Sequence, residues 1–165
     1  MRWSQTLSLP IALAALLVSS ACSSQTSAPA PAAAAATGKH PISGLDVVPL
    51  TISQNGKSHA FRVEMARTME QQEKGLMFRT AMGPDEGMLF PSDTAEQRSF
   101  WMKNTVIPLD IVFIGPDHLI SNIAANAVPY SLDPIPSSGA AIAVLELNGG
   151  RAAQLGIKPG ARVAW

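Results

Sequence analysis

Val48, Leu50 and Ile52 alternate with polar or turn-forming neighbours, and after Asn55-Gly56 the apolar positions resume at Phe61, Val63 and Met65. A period of two puts alternate side chains on one face, the mark of a half-buried strand. Asn-Gly between two such runs marks a type I′ hairpin turn, which needs positive φ at both central residues. With Asn55-Gly56 at the tip, Leu50 falls opposite Phe61 and Val48 opposite Val63, so the apolar faces register without adjustment.

Thr68-Met69-Glu70-Gln71 reads as a capping box, its threonine serving the amide of Gln71. Gly75 suits the left-handed residue that ends a helix, so a short helix is predicted over 68–74. Met88-Leu89-Phe90 predicts a brief strand, 91–97 a loop, and strands follow at about 98–104, 109–114 and 118–126. Pro129, Pro134 and Pro136 mark an irregular segment around Tyr130. A strand over 140–147, a helical turn within 149–155, a tight turn at Lys158-Pro159-Gly160 and a closing strand over 162–165 complete the pattern. Many short strands with one short helix describe a mainly β fold, an antiparallel sandwich or barrel bordering on α+β. The sequence carries no internal repeat, Rossmann glycine pattern or phosphate loop.

The pattern of residues 1–40 is different. Arg2 precedes a short apolar run from Leu7 to Val18, and Ser19-Ser20-Ala21 supplies small residues for cleavage. Residues 1–21 therefore read as a signal peptide, its apolar run too short for a spanning helix. Cys22 follows at once, as in a lipoprotein box, although Ser19 stands where a branched aliphatic is usual. Lipidation of Cys22 would hold the protein at the periplasmic face of a bacterial membrane. Ordinary cleavage after Ala21 would leave it soluble in the periplasm. Residues 22–40, rich in Ala, Pro and Ser, bury too little to offset ordering entropy and read as a disordered tether. Residues 41–165 then form a single β-rich domain.

Composition narrows the functional classes. Lys+Arg 12 against Asp+Glu 12 gives a formal net charge of 0, which argues against a nucleic-acid partner. Cys22 is the sole cysteine, so the body holds no disulfide, thiolate zinc site or cysteine nucleophile. His59 and His118 read as surface histidines, and His40 sits at the tether boundary. Six methionines from Met65 to Met102 suit core filling as well as Cu(I) binding, and no Met-x-x-Met or His-Met pairing supports copper. Asp85, Glu86 and Asp93 lack the spacing of a calcium loop. No metal or cofactor is expected.

The chemistry concentrates in Phe100-Trp101-Met102-Lys103-Asn104-Thr105 and the run from Ile107 to Ile114. Read as strands, these set Phe100, Met102 and Asn104 on one side and Trp101, Lys103 and Thr105 on the other. Leu109, Ile111 and Phe113 share a face, and Asp110 points with Val112 and Ile114. Arg79, Lys103, Asn104, Asp110, Glu146 and Asn148 are polar residues embedded in apolar runs. Buried charges must be paired or neutralised. One reading therefore has Arg79 and Lys103 satisfying Asp110 and Glu146 in a structural network.

The other reading brings Arg79, Trp101, Lys103, Asn104, Asp110 and Glu146 together in a pocket walled by Trp101, Met88 and Phe90. Aromatic walls with a few fixed polar groups suit a small polar ligand such as a sugar. A non-catalytic binding module is thus expected. A hydrolase using Asp110 and Glu146 is the alternative, and requires the paired-carboxylate spacing of glycoside hydrolysis. An interaction or assembly protein without a pocket is a further one, and would show an exposed apolar patch. The membrane is reached through Cys22 alone, and no protein partner is legible.

Glu73-Lys74-Gly75-Leu76-Met77-Phe78-Arg79, Gly87-Met88-Leu89-Phe90, the run from Phe100 to Asp110 and Val144-Leu145-Glu146-Leu147-Asn148-Gly149-Gly150 closely resemble the DUF192 family. The resemblance spans about Val47 to Trp165 and departs in the Pro129 to Ser138 segment. It implies an exported, β-rich domain and confers no reaction, because no activity is established for the family.

Overall fold

A computed structural model describes residues 38–165; the expected signal peptide, Cys22 and the tether up to residue 37 lie outside them. The hairpin forms as its alternation requires. β2 (Asp46–Gln54) and β3 (Lys57–Met65) pair with Leu50 opposite Phe61 and Val48 opposite Val63. Asn55 and Gly56 take φ of 52° and 74°, which a type I′ turn demands. The last tether residues join the fold: β1 (Gly38–Lys39) pairs with β2.

Thr68 caps α1 (Met69–Lys74), its hydroxyl accepting from the Gln71 amide while Gln71 Oε1 accepts from the Thr68 amide. Gly75 ends the helix at φ 46°, ψ −134°, a positive φ outside the left-handed helical region expected of it. The helix returns the chain so that β4 (Glu86–Phe100) runs parallel to β3. The fold is mainly β as expected, and this pair is a parallel exception among its antiparallel neighbours. Parallel neighbours need a crossover connection, and α1 lies in it.

β4 also absorbs the loop predicted over 91–97. It pairs with β7 (Ile135–Asn148) along most of its length, with register shifts between Pro91 and Glu96 and between Gln97 and Ser99. Bulges of this kind accommodate a proline and polar, exposed residues without ending a strand. Conversely, β4 stops at Phe100, and the segment Trp101 to Asn104 is a turn rather than the strand its alternation predicts.

β5 (Leu109–Ile114) lies between β7 and β6 (Ile120–Ala127), is buried at every position and reads as an unbroken apolar run for that reason. Leu109, Ile111 and Phe113 pack with Met88, Phe90, Met102 and Val144, while Val112 and Ile114 pack with Leu50, Phe61, Leu89 and Leu145. A second short helix, α2 (Arg151–Leu155), precedes β8 (Arg162–Ala164), which pairs with β2. The sheet order is β1-β2-β3-β4-β7-β5-β6. A bridge between Leu119 and Arg162, with Ile120 N donating to Ala161 O at 2.9 Å, joins β8 to the start of β6. The two ends of the sheet thereby approach one another, and it curls around the core that holds Val112.

Candidate functional site

Neighbouring positions on β5 and β7 carry the two candidate carboxylates. Asp110 is wholly buried and saturated by backbone donors. Its Oδ1 accepts from Asn126 N at 2.9 Å and Gly150 N at 2.8 Å, and its Oδ2 from Ala152 N at 2.8 Å. Gly150, at the N-cap of α2, offers no side-chain cap, so Asp110 satisfies these amides from the adjacent strand. It is an architectural residue whose oxygens are taken up by backbone amides, which corrects its placement among the ligand-binding candidates. The two-carboxylate hydrolase loses one member with it.

Arg79 makes a bidentate pair with Glu64, at 2.9 and 3.1 Å, both side chains buried. Ser43 Oγ donates to the same carboxylate, and His40 Nδ1 lies 3.5 Å from it. Arg79 therefore serves neither Asp110 nor Glu146, contrary to the expected network. Asn104, at φ 53°, accepts from Phe78 N at 2.8 Å through its carbonyl, and its amide lies 3.8 Å from Met77 Sδ. Asn148 donates to the carbonyls of Met82 and Gly83. All three are turn or loop fasteners.

Trp101, Lys103 and Glu146 do come together. They line a cleft of about 540 Å³ with Gln72 and Lys74 from α1 and Phe90 and Arg98 from β4. Glu146 opposes Met88 on β4 and Ile111 on β5, so its strand neighbours on both sides are apolar. It is only 5% exposed, and its Oε2 has no hydrogen-bond partner. Burial pushes its carboxyl up to about 8, so the neutral acid predominates at pH 7. Trp101 is 49% exposed, with Lys103 Nζ 5.1 Å from its ring centroid. Met88 lies beneath the cleft in the core instead of on its wall.

Gln72, Lys74 and Arg98 were not legible as site residues. Lys74 is exposed on the helix, Gln72 turns inward to donate to the carbonyls of Ala66 and Pro91, and Arg98 lies at a strand bulge. Only the parallel crossover carries them to Glu146. Apolar residues are exposed about the same turn: Phe78, Val128, Tyr130 and Leu132. Phe78 N donates to Asn104 O, Met102 N to Ser131 O and Tyr130 N to Thr105 O, bringing these segments together. Among the described residues no group of three or more His, Cys, Asp or Glu is placed to hold a metal. Among the same residues no helix is long and apolar enough to cross a membrane.

A crystal structure of a protein of unknown function from Novosphingobium aromaticivorans DSM 12444 superposes with a TM-score of 0.78 at 56% identity. The match covers 80% of this chain and 94% of that one. A second, from Sinorhizobium meliloti 1021 and named a "putative transcription regulator", gives a TM-score of 0.71 at 40% identity, covering 73% and 94%. No curated protein matches. The DUF192 family model, described as "Uncharacterized ACR", matches residues 50–165. The chain therefore belongs to the DUF192 family.

Proposed function

We propose that this domain is a non-catalytic binding module for a small polar ligand, of which a carbohydrate is the best-fitting class. The observation that carries the reading is the Glu146 carboxyl, which has an unpartnered buried oxygen where the cleft opens onto the core. Native proteins leave few buried polar atoms unsatisfied, because each costs about 1–3 kcal/mol. A bound ligand's hydroxyl would satisfy this one. Trp101 offers a ring face, and Lys103 and Arg98 offer polar groups around it. A turnover reading has less support, since Asp110, the partner carboxylate it calls for, is committed to backbone amides. The exposed apolar residues near Tyr130 would serve an assembly protein equally, but they leave Glu146 unexplained.

The domain is further proposed to be exported and held at the periplasmic face by lipidated Cys22, on the strength of Arg2, the apolar run and the small residues before the cysteine. Its neutral formal charge supports a partner other than nucleic acid.

The binding reading is tested by thermal shift of the purified protein against sugars and cell-wall fragments, repeated in Trp101→Ala and Lys103→Ala. A ligand at about 100 times its Kd adds about 2.7 kcal/mol to apparent stability. The expected result is a shift that both variants lose while keeping the wild-type melting temperature without ligand. No shift across the panel would overturn it.

A further inference from the structure

The charges around the cleft say more about its ligand, provided the binding reading above holds. Five titratable groups line it: Glu73 and Lys74 from α1, Arg98 from β4, Lys103 from the turn after β4, and Glu146 from β7. None of the three cations has a carboxylate partner among the described residues. Lys103 faces the Trp101 ring, and Arg98 donates to Gln72 Oε1 at 3.1 Å while lying 5.8 Å from the Phe100 ring centroid. Met88 and Ile111, which flank Glu146 across the sheet, do not titrate. With the Glu146 carboxyl neutral, three cations are left with Glu73 as the only other acidic side chain lining the cleft. In a chain of formal net charge 0, this is a local basic field.

We infer that the ligand is an acidic sugar: a ring whose uncharged oxygen accepts a hydrogen bond from the Glu146 carboxyl while its carboxylate meets Lys74, Arg98 and Lys103. Each part of the geometry selects one part of this ligand. Trp101 takes the ring face. A lone acid among apolar neighbours holds its proton and donates it. The cations engage a carboxylate by charge-assisted hydrogen bonds. An amine-bearing ligand could pair with an ionised Glu146, but the cations around it would repel such a ligand. A neutral sugar would leave all three cations without a carboxylate. The rise of the Glu146 carboxyl to about 8 agrees with the donor role.

The experiment compares matched pairs by calorimetry on the purified protein: galacturonate against galactose, and glucuronate against glucose. At about pH 6 the uronate of a pair should bind about tenfold more tightly than its hexose, a preference that shrinks in high salt and in Lys103→Ala. Uronate affinity in the wild type should fall as pH rises through about 8. Glu146→Gln, which keeps a donor but cannot ionise, should bind with no such fall. Equal affinity for hexose and uronate would overturn the acidic ligand and leave the binding module standing. A wild-type pH profile shared by Glu146→Gln would overturn the donor role. Failure of both sugars in each pair to bind would overturn this inference, and a null result across the wider panel above would overturn the binding reading with it.

Discussion

Asp110 and Glu146 are the same functional group one strand apart, and their surroundings use them in opposite ways. Asp110 receives three backbone N–H donors, so both its oxygens are occupied. Glu146 has apolar strand neighbours and an unpartnered oxygen, so it stays protonated. Asp110→Asn should therefore be costly despite its equal size. The amide keeps one acceptor and turns an NH2 group toward a backbone N–H. Hydrogen bonds to charged groups contribute about 1.5–3 kcal/mol each, so a loss of about 2–4 kcal/mol in urea unfolding is expected. A change below about 0.5 kcal/mol would mean that these amides find other partners. The sequence marks both acids as unusual by their apolar settings. It could not separate them, because Asp110's donors come from positions 126, 150 and 152, unrelated to it in local pattern.

Among the elements, those written in short-range chemistry were legible. The Asn55-Gly56 hairpin and the Thr68 capping box each depend on residues a few positions apart, and both formed in the predicted register. β4 was not legible through its middle. Its bulged stretch is polar and exposed, so alternation disappears while the pairing to β7 resumes beyond it. The turn at Trp101 misled in the opposite way, since alternating burial without a pairing strand is no strand. At Gly87 the two strands leave no room for a side chain, since an added Cβ would stand 2.6 Å from the Glu146 carbonyl oxygen. Gly87→Ala must push the two backbones apart directly beneath the cleft. A loss of about 1–3 kcal/mol is expected. If the cleft binds as proposed, ligand affinity should fall with it. A variant of wild-type stability would show that the strands separate there at little cost.

At the scale of the whole molecule, the site is a product of topology. Residues from α1, β4, the following turn and β7 meet because β3 and β4 run parallel and α1 crosses between them, a connection that local patterns do not specify. That is why the sequence yielded the aromatic and the acid of the cleft but missed Lys74, Arg98 and Gln72. It is also why Arg79, strongly marked by its apolar run, turned out to belong to Glu64. The buried acid then couples the site to global stability. Its carboxyl is raised from the ordinary 4.5 to about 8. Between those values the unfolded chain is ionised and the folded one protonated, so the folded state binds more protons and stability falls as pH rises. The contribution is complete below about 4.5 and gone above about 8. At about 1.4 kcal/mol per pH unit, the loss is on the order of 5 kcal/mol. Asp46, held down chiefly by its hydrogen bond to Lys39, has the opposite sign and acts only at the acid end, below the ordinary 3.8. The two effects occupy separate windows. Urea midpoints of the wild type should therefore decline from about pH 5 to about pH 8, while those of Glu146→Gln stay level. The variant should be the more stable of the two at the alkaline end. Parallel curves would mean that Glu146 is ionised in the folded protein, with a counter-charge drawn in beside it.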